Sequence, residues 1–466
     1  MSTFPTTGRN GTVIVVGASM AGLLAARVLA EHAGRVVVLD HDTLPEDAVP
    51  RGGAPQSAHA HGLLARGLRG LEELFPGLTA ELVARGGRVA DVQEDFRWVS
   101  DGYTLARGRS GMHGILVSRP LLEREVRRRT LADPRISVHD RVEVRALMHD
   151  DRGRVLGVAA VERDNPAGRG IRRWDADLVV DASGRTSRAP EWLQALGFEP
   201  PEEERVEVDV AYSTRHYRRE PGHLDGGGGV AIAAAPDNPR AGFLLAQEGD
   251  RWICALGGYL GDRPPIDPEG FEAYAATLPS PMVSEVISRA VPVDEPRRYR
   301  FPASVRRRFE RLRRSPEGLL VLGDAVCSFD PVYGQGMTVA CLEALALRDV
   351  LRRGPAPADL PREFWRACEP IVDIAWQIAL GADLRIPGVR GPVDRRTRVV
   401  NGYIGKVYRA AALDPAVGTA FLRVIHMEAA PPSLMSPSVL AHVVMGSRRA
   451  PALPRPRISP EAQQRV

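Results

Sequence analysis

Two glycine-rich segments, about 300 residues apart, constrain the fold of this chain more than any other feature. The first is VIVVGASMAG at residues 13–22, and the second is LLVLGDAVCSFDPVYGQGM at residues 319–337. Each joins an apolar run of strand length to a helical pattern through glycines. A strand that turns tightly into a helix directs backbone N–H groups and the positive end of the helix dipole towards an anion. Two such turns in one chain predict a large ligand that is held at both ends.

The first segment predicts a nucleotide-binding βαβ unit. Its expected elements are a buried strand, a helix and a second strand, at residues 12–17, 20–32 and 35–40. Asp40 ends the second strand, where an acidic side chain accepts hydrogen bonds from a ribose. Ser19 replaces the second glycine of the usual fingerprint, and serine is small enough for a pyrophosphate to approach. The alternative interpretation is a structural glycine turn with an ordinary surface aspartate.

The second segment predicts a site for the other end of the same ligand. Asp324 follows a short apolar strand, where its carboxylate can accept hydrogen bonds from a polyol such as ribitol. Gly334 and Gly336 precede a helix whose N-terminus can stabilise negative charge on a reduced flavin ring. FAD has the span that these two segments require. The alternative is a decorated turn without a ligand.

Composition limits the other classes of function. The chain has 466 residues and a formal net charge of +4, which gives no reason to expect a nucleic-acid partner. The four cysteines have no metal-ligand spacing, so we expect no metal site and a reducing, cytoplasmic location. The start of the chain lacks the basic region of a signal peptide. A buried strand and helix explain the apolar stretch 13–30 better than a membrane span does.

The order of elements predicts an α/β fold with an α+β insert. We expect a Rossmann-like FAD-binding domain, an inserted and mainly antiparallel β-sheet that serves as substrate domain, and C-terminal helices. The FAD-binding domain is expected at residues 1–204 and 303–353, and the insert at 205–302. The C-terminal helices are expected at 354–446 and a disordered tail at 447–466.

These motifs together resemble the FAD-dependent monooxygenases of the para-hydroxybenzoate hydroxylase fold. The resemblance covers nearly the whole chain and rests on Asp40 and on the segments 17–22, 118–123 (SRPLLE), 181–187 (DASGRTS) and 323–337. Within that family the chain is most similar to the polyene epoxidases of polyether biosynthesis, of the lasalocid and monensin type. This closer resemblance rests on RGGAPQSAHAH at 51–61, on residues 323–334 and on WQIALGAD at 376–383.

The resemblance implies a set of residues that contact FAD. Around the dinucleotide these are Gly17, Ser19, Met20, Ala21, Gly22, Asp40, His41, Arg51, Arg119, Val142 and Asp324. Val142 is expected beside the adenine and Asp324 at the ribitol. The isoalloxazine is expected to be lined by Pro331, Gly334, Gly336 and Met337, with Pro331, Tyr333 and Gly334 near its C4a atom. A surface ion pair is the alternative for each arginine, and it is strongest for Arg51, which lies in a loop.

One position departs from the family pattern. Ser183 and Gly184 stand where the family carries Asp-Gly, whose aspartate helps to organise FAD and the pyridine nucleotide. The resemblance implies that NADPH or NADH is the electron source. The electrons would come either directly from this nucleotide or through a separate flavin reductase as a partner. His59 and His61 lie two residues apart without further metal ligands nearby. We interpret them as structural or cofactor-proximal, with a catalytic role as the lesser alternative.

The resemblance also implies a reaction. Reduced FAD and O₂ are expected to form a C4a-hydroperoxide that epoxidises or hydroxylates an apolar, unsaturated secondary metabolite such as a polyketide polyene. No catalytic residue and no general base is evident, which favours alkene epoxidation over phenol hydroxylation. The alternatives are an aromatic hydroxylase, a flavin reductase of prenyl chains and a flavin-binding protein without activity. A flavin-dependent halogenase is disfavoured, because that family needs a catalytic lysine early in the chain and a Trp-x-Trp-x-Ile segment. Here Lys406 is the only lysine, and no such segment occurs.

Overall fold

The computed structural model describes residues 11–163, 170–391 and 395–448, so the predicted tail lies almost entirely outside the described residues. Its strands are β1 (Thr12–Val16), β2 (Arg35–Leu39), β3 (Arg88–Asp91), β4 (Phe96–Ser100), β5 (Tyr103–Thr104), β6 (His113–Leu116), β7 (Ile136–His139), β8 (Val142–His149), β9 (Val155–Glu162), β10 (Ile171–Asp175), β11 (Leu178–Asp181), β12 (Glu203–Arg218), β13 (Gly229–Ile232), β14 (Arg240–Gln247), β15 (Arg251–Gly258), β16 (Arg297–Arg307), β17 (Leu319–Val321) and β18 (Cys327–Ser328). Its helices are α1 (Met20–Leu29), α2 (Ala65–Leu74), α3 (Leu78–Ala84), α4 (Arg119–Leu131), α5 (Ala189–Ala195), α6 (Pro268–Ala275), α7 (Met282–Ile287), α8 (Gly336–Arg353), α9 (Leu360–Asp383), α10 (Arg395–Ala411), α11 (Pro415–Ile425) and α12 (Pro437–Gly446).

A parallel sheet in the order β17-β11-β1-β2-β7 carries the nucleotide-binding pattern. Its central strands are continuous runs of buried valine, isoleucine and leucine, as expected for a sheet covered on both faces. Because the strands are parallel, the residues that follow β1, β2, β11 and β17 lie along one edge. That edge therefore brings together Gly17, Asp40, Ala182 and Gly323.

The strand-forming stretch from residue 136 to residue 149 is divided into two strands, β7 and β8. Arg141 has φ = +57°, which ends the extended conformation between β7 and β8. β7 joins the edge of the parallel sheet, whereas β8 pairs with β9 in a separate three-stranded sheet. The break matters because it places the first residue of β8, Val142, beside the end of β2.

The second large sheet has eight strands in the order β18-β16-β12-β15-β14-β13-β4-β5, and most neighbours are antiparallel. It confirms the predicted fold class of a Rossmann-like domain with an additional sheet. The predicted bounds of the insert, residues 205 and 302, differ from the bounds of this sheet. β4 and β5 lie before residue 205, and β16 continues past residue 302 to Arg307. β4 joins the large sheet by pairing in parallel with β13, a strand that is far from β4 in sequence.

The C-terminal helices cover the β4–β5 end of the large sheet. α10 and α11 form an apolar cluster with that end of the sheet through Val407, Phe421 and Leu422 on the helices and Tyr103 and Leu105 below them. These helices and the large sheet therefore lie on opposite sides of an enclosed space. Within the described residues, no helix is both long and apolar enough to cross a membrane.

Candidate functional site

The turn after β1 and the first turn of α1 each require glycine at one position. Gly17 has φ = +104°, and a Cβ there would lie 2.5 Å from the Ala182 backbone oxygen. A Cβ on Gly22 would lie 1.8 Å from the carbonyl oxygen of Gly17. The side chain of the N-cap residue, Ser19, does not cap α1 by a hydrogen bond within the described part of the chain. The first turn of α1 thus presents its backbone N–H groups for an anion.

The two glycine segments meet in the folded chain. Gly323 has φ = +68°, and a Cβ there would lie 2.8 Å from the Cβ of Ala21 on α1. The Gly323 N–H donates to Oε2 of the buried Glu343 at 2.6 Å, which fixes the turn after β17 to α8. Met20, the first residue of α1, is buried. The structure therefore supports one ligand shared by both segments.

Asp40 lies where an adenosine ribose is expected. Its Oδ2 accepts the Ala18 N–H at 2.6 Å and its Oδ1 accepts the Asp42 N–H at 2.8 Å, so the carboxylate links the end of β2 to the glycine turn. The Val142 N–H donates to the Asp40 carbonyl at 2.8 Å, which places β8 beside this position. His41 is exposed, and its Nδ1 lies 3.7 Å from the Asp40 carboxylate.

Two arginines reach this edge from different elements. Nη2 of Arg119 donates to Oγ of Ser19 at 3.1 Å, so the guanidinium of Arg119 lies at the N-terminus of α1. Nε of Arg51 donates to Glu123 at 2.9 Å, and its Nη1 lies 3.6 Å from Asp40. The Arg51 side chain is only 6% exposed. The surface ion pair considered for Arg51 is therefore wrong, because this arginine belongs to a buried charge network that joins the loop after β2 to α4.

We expect Arg51→Ala to lower the free energy of unfolding by about 3–5 kcal/mol, because it leaves Glu123 and Asp40 as buried charges without this partner. Urea denaturation followed by circular dichroism measures the change. Arg27→Ala is the matched control, since Arg27 pairs with Glu31 on the partly exposed surface of α1 and such pairs contribute less than about 0.5 kcal/mol. Equal losses in the two variants would contradict a stabilising role for the buried network.

The second glycine segment leaves several polar groups without protein partners. Asp324 is half-buried, and its carboxylate accepts no hydrogen bond from the described residues, while Arg119 and Arg185 partly offset the burial that raises its pKa. Both polar side-chain atoms of Gln335 are buried without a partner in the described chain. Gly334 has φ = +62° and Gly336 begins α8, with Met337 buried behind them. These groups surround the position predicted for the other end of the ligand.

A cavity of about 710 Å³ opens beside this segment. The sheet contributes mainly apolar side chains to it, among them Val99, Phe243 and Ile253. The C-terminal helices contribute Ile378, Ile404 and Phe421, and the glycine segment contributes Pro331, Val332, Tyr333, Gly334 and Gln335. The cavity can therefore hold a large apolar molecule against the turn that precedes α8.

Comparison with known proteins identifies the family of proteins to which this chain belongs. A family described as FAD binding domain matches residues 10–356. The chain belongs to the FAD binding domain family. It is similar to Protein Rv3254 of Mycobacterium tuberculosis, with 33% identity over 433 residues and 90% of each chain covered.

Solved structures of flavoproteins share the fold. A flavoprotein/dehydrogenase from Cytophaga hutchinsonii has a TM-score of 0.66 at 15% identity and covers 94% of this chain and 98% of its own. PqsL, a probable FAD-dependent monooxygenase from Pseudomonas aeruginosa, has a TM-score of 0.59 at 19% identity, with 81% and 97% covered. The flavin-dependent brominase Bmp2 has a TM-score of 0.65 at 13% identity, with 94% and 99% covered.

The geometry fits FAD, the ligand of the family. The turn at Gly17 and Gly22 leaves no room for side chains and presents N–H groups for a pyrophosphate, and Asp40 can accept from a ribose. The carboxylate of Asp324 and the amide of Gln335 are polar groups that a bound ribitol and flavin ring would satisfy. The individual contacts named from the sequence remain predictions.

Ser183, the departure from the family pattern, lies beside a buried carboxylate. Asp181, at the end of β11, is fully buried and accepts from the Ser183 N–H at 2.9 Å and from the hydroxyls of Ser183 and Ser187 at 2.5 and 2.6 Å. These three bonds turn the carboxylate into the protein rather than towards the cavity. The structure thus gives Ser183 a structural role in the turn after β11.

His59 and His61 lie against the cavity. Nδ1 of His59 lies 2.8 Å from Oγ1 of Thr214, and Nδ1 of His61 donates to the His59 carbonyl at 2.9 Å. Burial, with a smaller contribution from nearby arginines, lowers the pKa of His59 to about 4 and that of His61 to about 3. No group of three potential metal ligands occurs among the described residues. Both histidines are therefore neutral, polar parts of the cavity wall.

The sequence did not reveal a cluster of two carboxyls and three tyrosines at the cavity wall. Oη of Tyr333 donates to Oδ1 of Asp383 at 2.6 Å, and Oη of Tyr259 donates to the same atom at 3.3 Å. Oη of Tyr212 donates to Oδ1 of Asp330 at 2.6 Å. Both carboxyls lie in segments that the family resemblance had singled out, yet nothing in the sequence indicates that α9 brings them together.

His426, also on the cavity wall, predicts acid sensitivity of the fold. Its Nδ1 accepts the Ala65 N–H at 3.2 Å, and burial lowers its pKa from 6.5 to about 4. Between these values the unfolded chain binds a proton that the folded chain does not, so stability falls as the pH drops from about 6.5 towards 4. In His426→Asn we expect this slope, measured by urea denaturation, to be shallower by about 1.4 kcal/mol per pH unit. An unchanged slope would refute the assignment, and His113→Asn, at an exposed position on β6, is the control.

Proposed function

We propose that this protein is an FAD-dependent monooxygenase that transfers one oxygen atom of O₂ to a large, apolar, unsaturated molecule. The observation that carries the proposal is the cavity of about 710 Å³, which is lined by apolar side chains and adjoins the 331–335 turn at the N-terminus of α8. A flavin ring at this turn would face the cavity directly. The description of PqsL as a probable FAD-dependent monooxygenase agrees with this function.

Bound FAD would supply the redox chemistry and the activation of O₂. The chain itself would hold the cofactor, with α1 and Arg119 at the pyrophosphate, Asp40 at the ribose and Asp324 at the ribitol. The N-terminus of α8 would stabilise negative charge on the ring. The apolar walls would orient the substrate and exclude water from the reacting carbon.

Two reaction classes remain within this proposal. Epoxidation of a polyene, as in the epoxidases that the sequence resembles, requires no base and suits the apolar walls of the cavity. Hydroxylation of a phenol or enol is favoured by the carboxyls and tyrosines beside the cavity, which provide the base that the sequence did not show. Halogenation is not proposed, although the brominase Bmp2 shares the fold, because Lys406 is exposed on α10 and outside the cavity lining.

Oxygen transfer is tested by supplying isotopically labelled O₂ with an electron donor and an unsaturated probe, either squalene as polyene or 2-naphthol as phenol. A monooxygenase is expected to consume O₂ in proportion to a product that carries one labelled oxygen atom. Saturation of a probe double bond without labelled oxygen would instead identify a flavin reductase of prenyl chains. Flavin that never turns over with either probe would favour a binding protein.

The electron source is tested by visible spectra of the FAD-loaded protein under anaerobic conditions. Bleaching on addition of NADPH or NADH indicates that the chain accepts hydride directly. A spectrum that persists until a separate flavin reductase is added indicates a two-component system. We expect the second outcome, because the turn after β11 carries Ser183 in place of the family's aspartate.

A further inference from the structure

The carboxyls of Asp330 and Asp383 lie together in the protein interior, exposed by 0% and 1%. Each retains one oxygen, Oδ2, that is buried and receives no hydrogen bond from the described residues. The two side chains interact directly, and burial raises the pKa of both. Arg385, two residues after Asp383, is paired with Asp101.

Two carboxylates in such a position do not both ionise, because like charges repel and burial removes the water that would stabilise them. One proton shared by the two carboxyls leaves a single negative charge on the pair. That charge lies on Asp330, whose Oδ1 accepts from the hydroxyl of Tyr212 and from the Val332 N–H at 3.0 Å. The titratable groups that face the pair are Tyr212 from β12, Tyr259 from the segment after β15 and Tyr333 from the 331–333 turn.

Tyr333 is the most exposed of the three tyrosines, all of which line the cavity. Tyr212 and Tyr259 are exposed by 6% and 2%, whereas Tyr333 is half-buried. The Tyr333 hydroxyl donates its proton to Asp383, so its oxygen can accept a hydrogen bond from a bound molecule. Pro331 and Gly334 flank this residue in the segment where the flavin ring is expected.

We propose that Asp330 and Asp383 hold one proton between them and that Tyr333 connects this pair to a hydroxyl group of the substrate. The three residues then form the acid–base relay of the site. The inference rests on the proposed function for the presence of a substrate in the cavity. It narrows the substrate class to apolar, unsaturated molecules that carry an acidic phenol or enol hydroxyl.

The relay conserves charge and protons. The substrate proton passes to Oη of Tyr333 as the Tyr333 proton passes to Oδ1 of Asp383, and the proton that Asp383 already held passes to Asp330. The negative charge thereby moves from the carboxyl pair to the substrate oxygen. Both carboxyls are then neutral, and the reverse transfer restores the starting state.

The shared proton is tested by infrared difference spectroscopy of the FAD-loaded protein, without any substrate. We expect the wild-type protein to show the carbonyl band of a protonated carboxylic acid that Asp383→Asn lacks, because Asp330 then ionises beside an amide. Glu343, whose pKa burial raises to about 8, has its own band, which cancels in the difference between the two proteins. Identical carboxylic acid bands in the two proteins would overturn the shared proton.

The connection to the cavity is tested by the binding of 2-naphthol and of naphthalene, which lacks the hydroxyl. We expect wild-type protein to bind 2-naphthol about tenfold more tightly and Tyr333→Phe to lose this preference, since one hydrogen bond of this kind contributes about that much. The absorption of the naphtholate anion is expected in wild-type protein at a pH where free 2-naphthol is neutral, and in neither Tyr333→Phe nor Asp383→Asn. Tyr217→Phe, a buried position on β12 outside the cavity lining, is the control.

These outcomes are separable from the proposed function. Equal affinity for 2-naphthol and naphthalene in wild-type protein would overturn the relay, even if labelled oxygen enters squalene. A preference for 2-naphthol that survives in Tyr333→Phe would place the hydroxyl elsewhere in the cavity and equally overturn it. Failure of oxygen transfer with both probes would refute the monooxygenase while the infrared band still reports the shared proton.

Discussion

Gly22→Ala is expected to produce a protein that is unstable and binds almost no FAD. The added Cβ would lie 1.8 Å from the carbonyl oxygen of Gly17, a backbone atom that β1 and α1 hold in place. Relieving this overlap must shift α1 away from the turn, at a cost of about 3 kcal/mol or more. The same shift removes the N–H groups that face the pyrophosphate, so we expect at least about a tenfold loss of FAD affinity.

Flavin fluorescence titration and thermal denaturation measure the two effects of Gly22→Ala. Gly402→Ala is the matched control, because Gly402 lies in α10 and a Cβ there has no heavy atom within 4 Å. Alanine in a helix interior is about 0.5–1 kcal/mol more favourable than glycine, so this control is expected to be slightly more stable and to bind FAD normally. Normal FAD binding in Gly22→Ala would show that the turn is not at the pyrophosphate.

Asp324→Ala is expected to weaken FAD binding by about ten- to a hundredfold without lowering the stability of the FAD-free protein. Hydrogen bonds to a charged group contribute about 1.5–3 kcal/mol, and Asp324 is the carboxylate that we place at the ribitol. Because burial raises the pKa of Asp324, removal of this carboxyl costs the FAD-free fold nothing and can stabilise it. The two opposite effects distinguish a ligand contact from a structural residue.

The measurements for Asp324→Ala are FAD titration and the melting temperature of the FAD-free protein. Asp349→Ala is the control, since Asp349 is an exposed carboxylate on α8, the helix that comes after the Asp324 segment. We expect Asp324→Asn to recover part of the affinity, because an amide oxygen still accepts a hydrogen bond. Full retention of FAD by Asp324→Ala would refute the ribitol assignment.

Features that depend on neighbouring residues were predictable. The apolar run of β1, the glycines of the turn and Asp40 at the end of β2 lie within one βαβ unit, so spacing alone indicates what they do. Family membership supports FAD as the ligand, the roles of the individual residues stay predictions, and the proximity of Gly323 to Ala21 supports a shared ligand. The epoxidase type remains a proposal, because walls of apolar side chains do not distinguish one unsaturated substrate from another.

Features that depend on strand pairing or helix docking were not predictable. β4 lies far from β13 in sequence, so no local pattern predicts that it extends the large sheet and moves the boundary of the insert. The burial of Arg51, a loop residue, depends on α4, which places Glu123 against its guanidinium. The division between β7 and β8 depends on a single positive φ at Arg141, a residue type that gives no signal for it.

The sequence by itself determined that this chain binds a dinucleotide at the edge of a parallel sheet, because a strand, a glycine turn and a helix present their N–H groups whatever the rest of the chain does. Only the tertiary structure decided that the site contains a base. Asp330 and Asp383 belong to different elements and become a pair when α9 docks beside the 331–333 turn. Their shared proton arises from burial and mutual repulsion, and both are properties of the folded chain rather than of either segment.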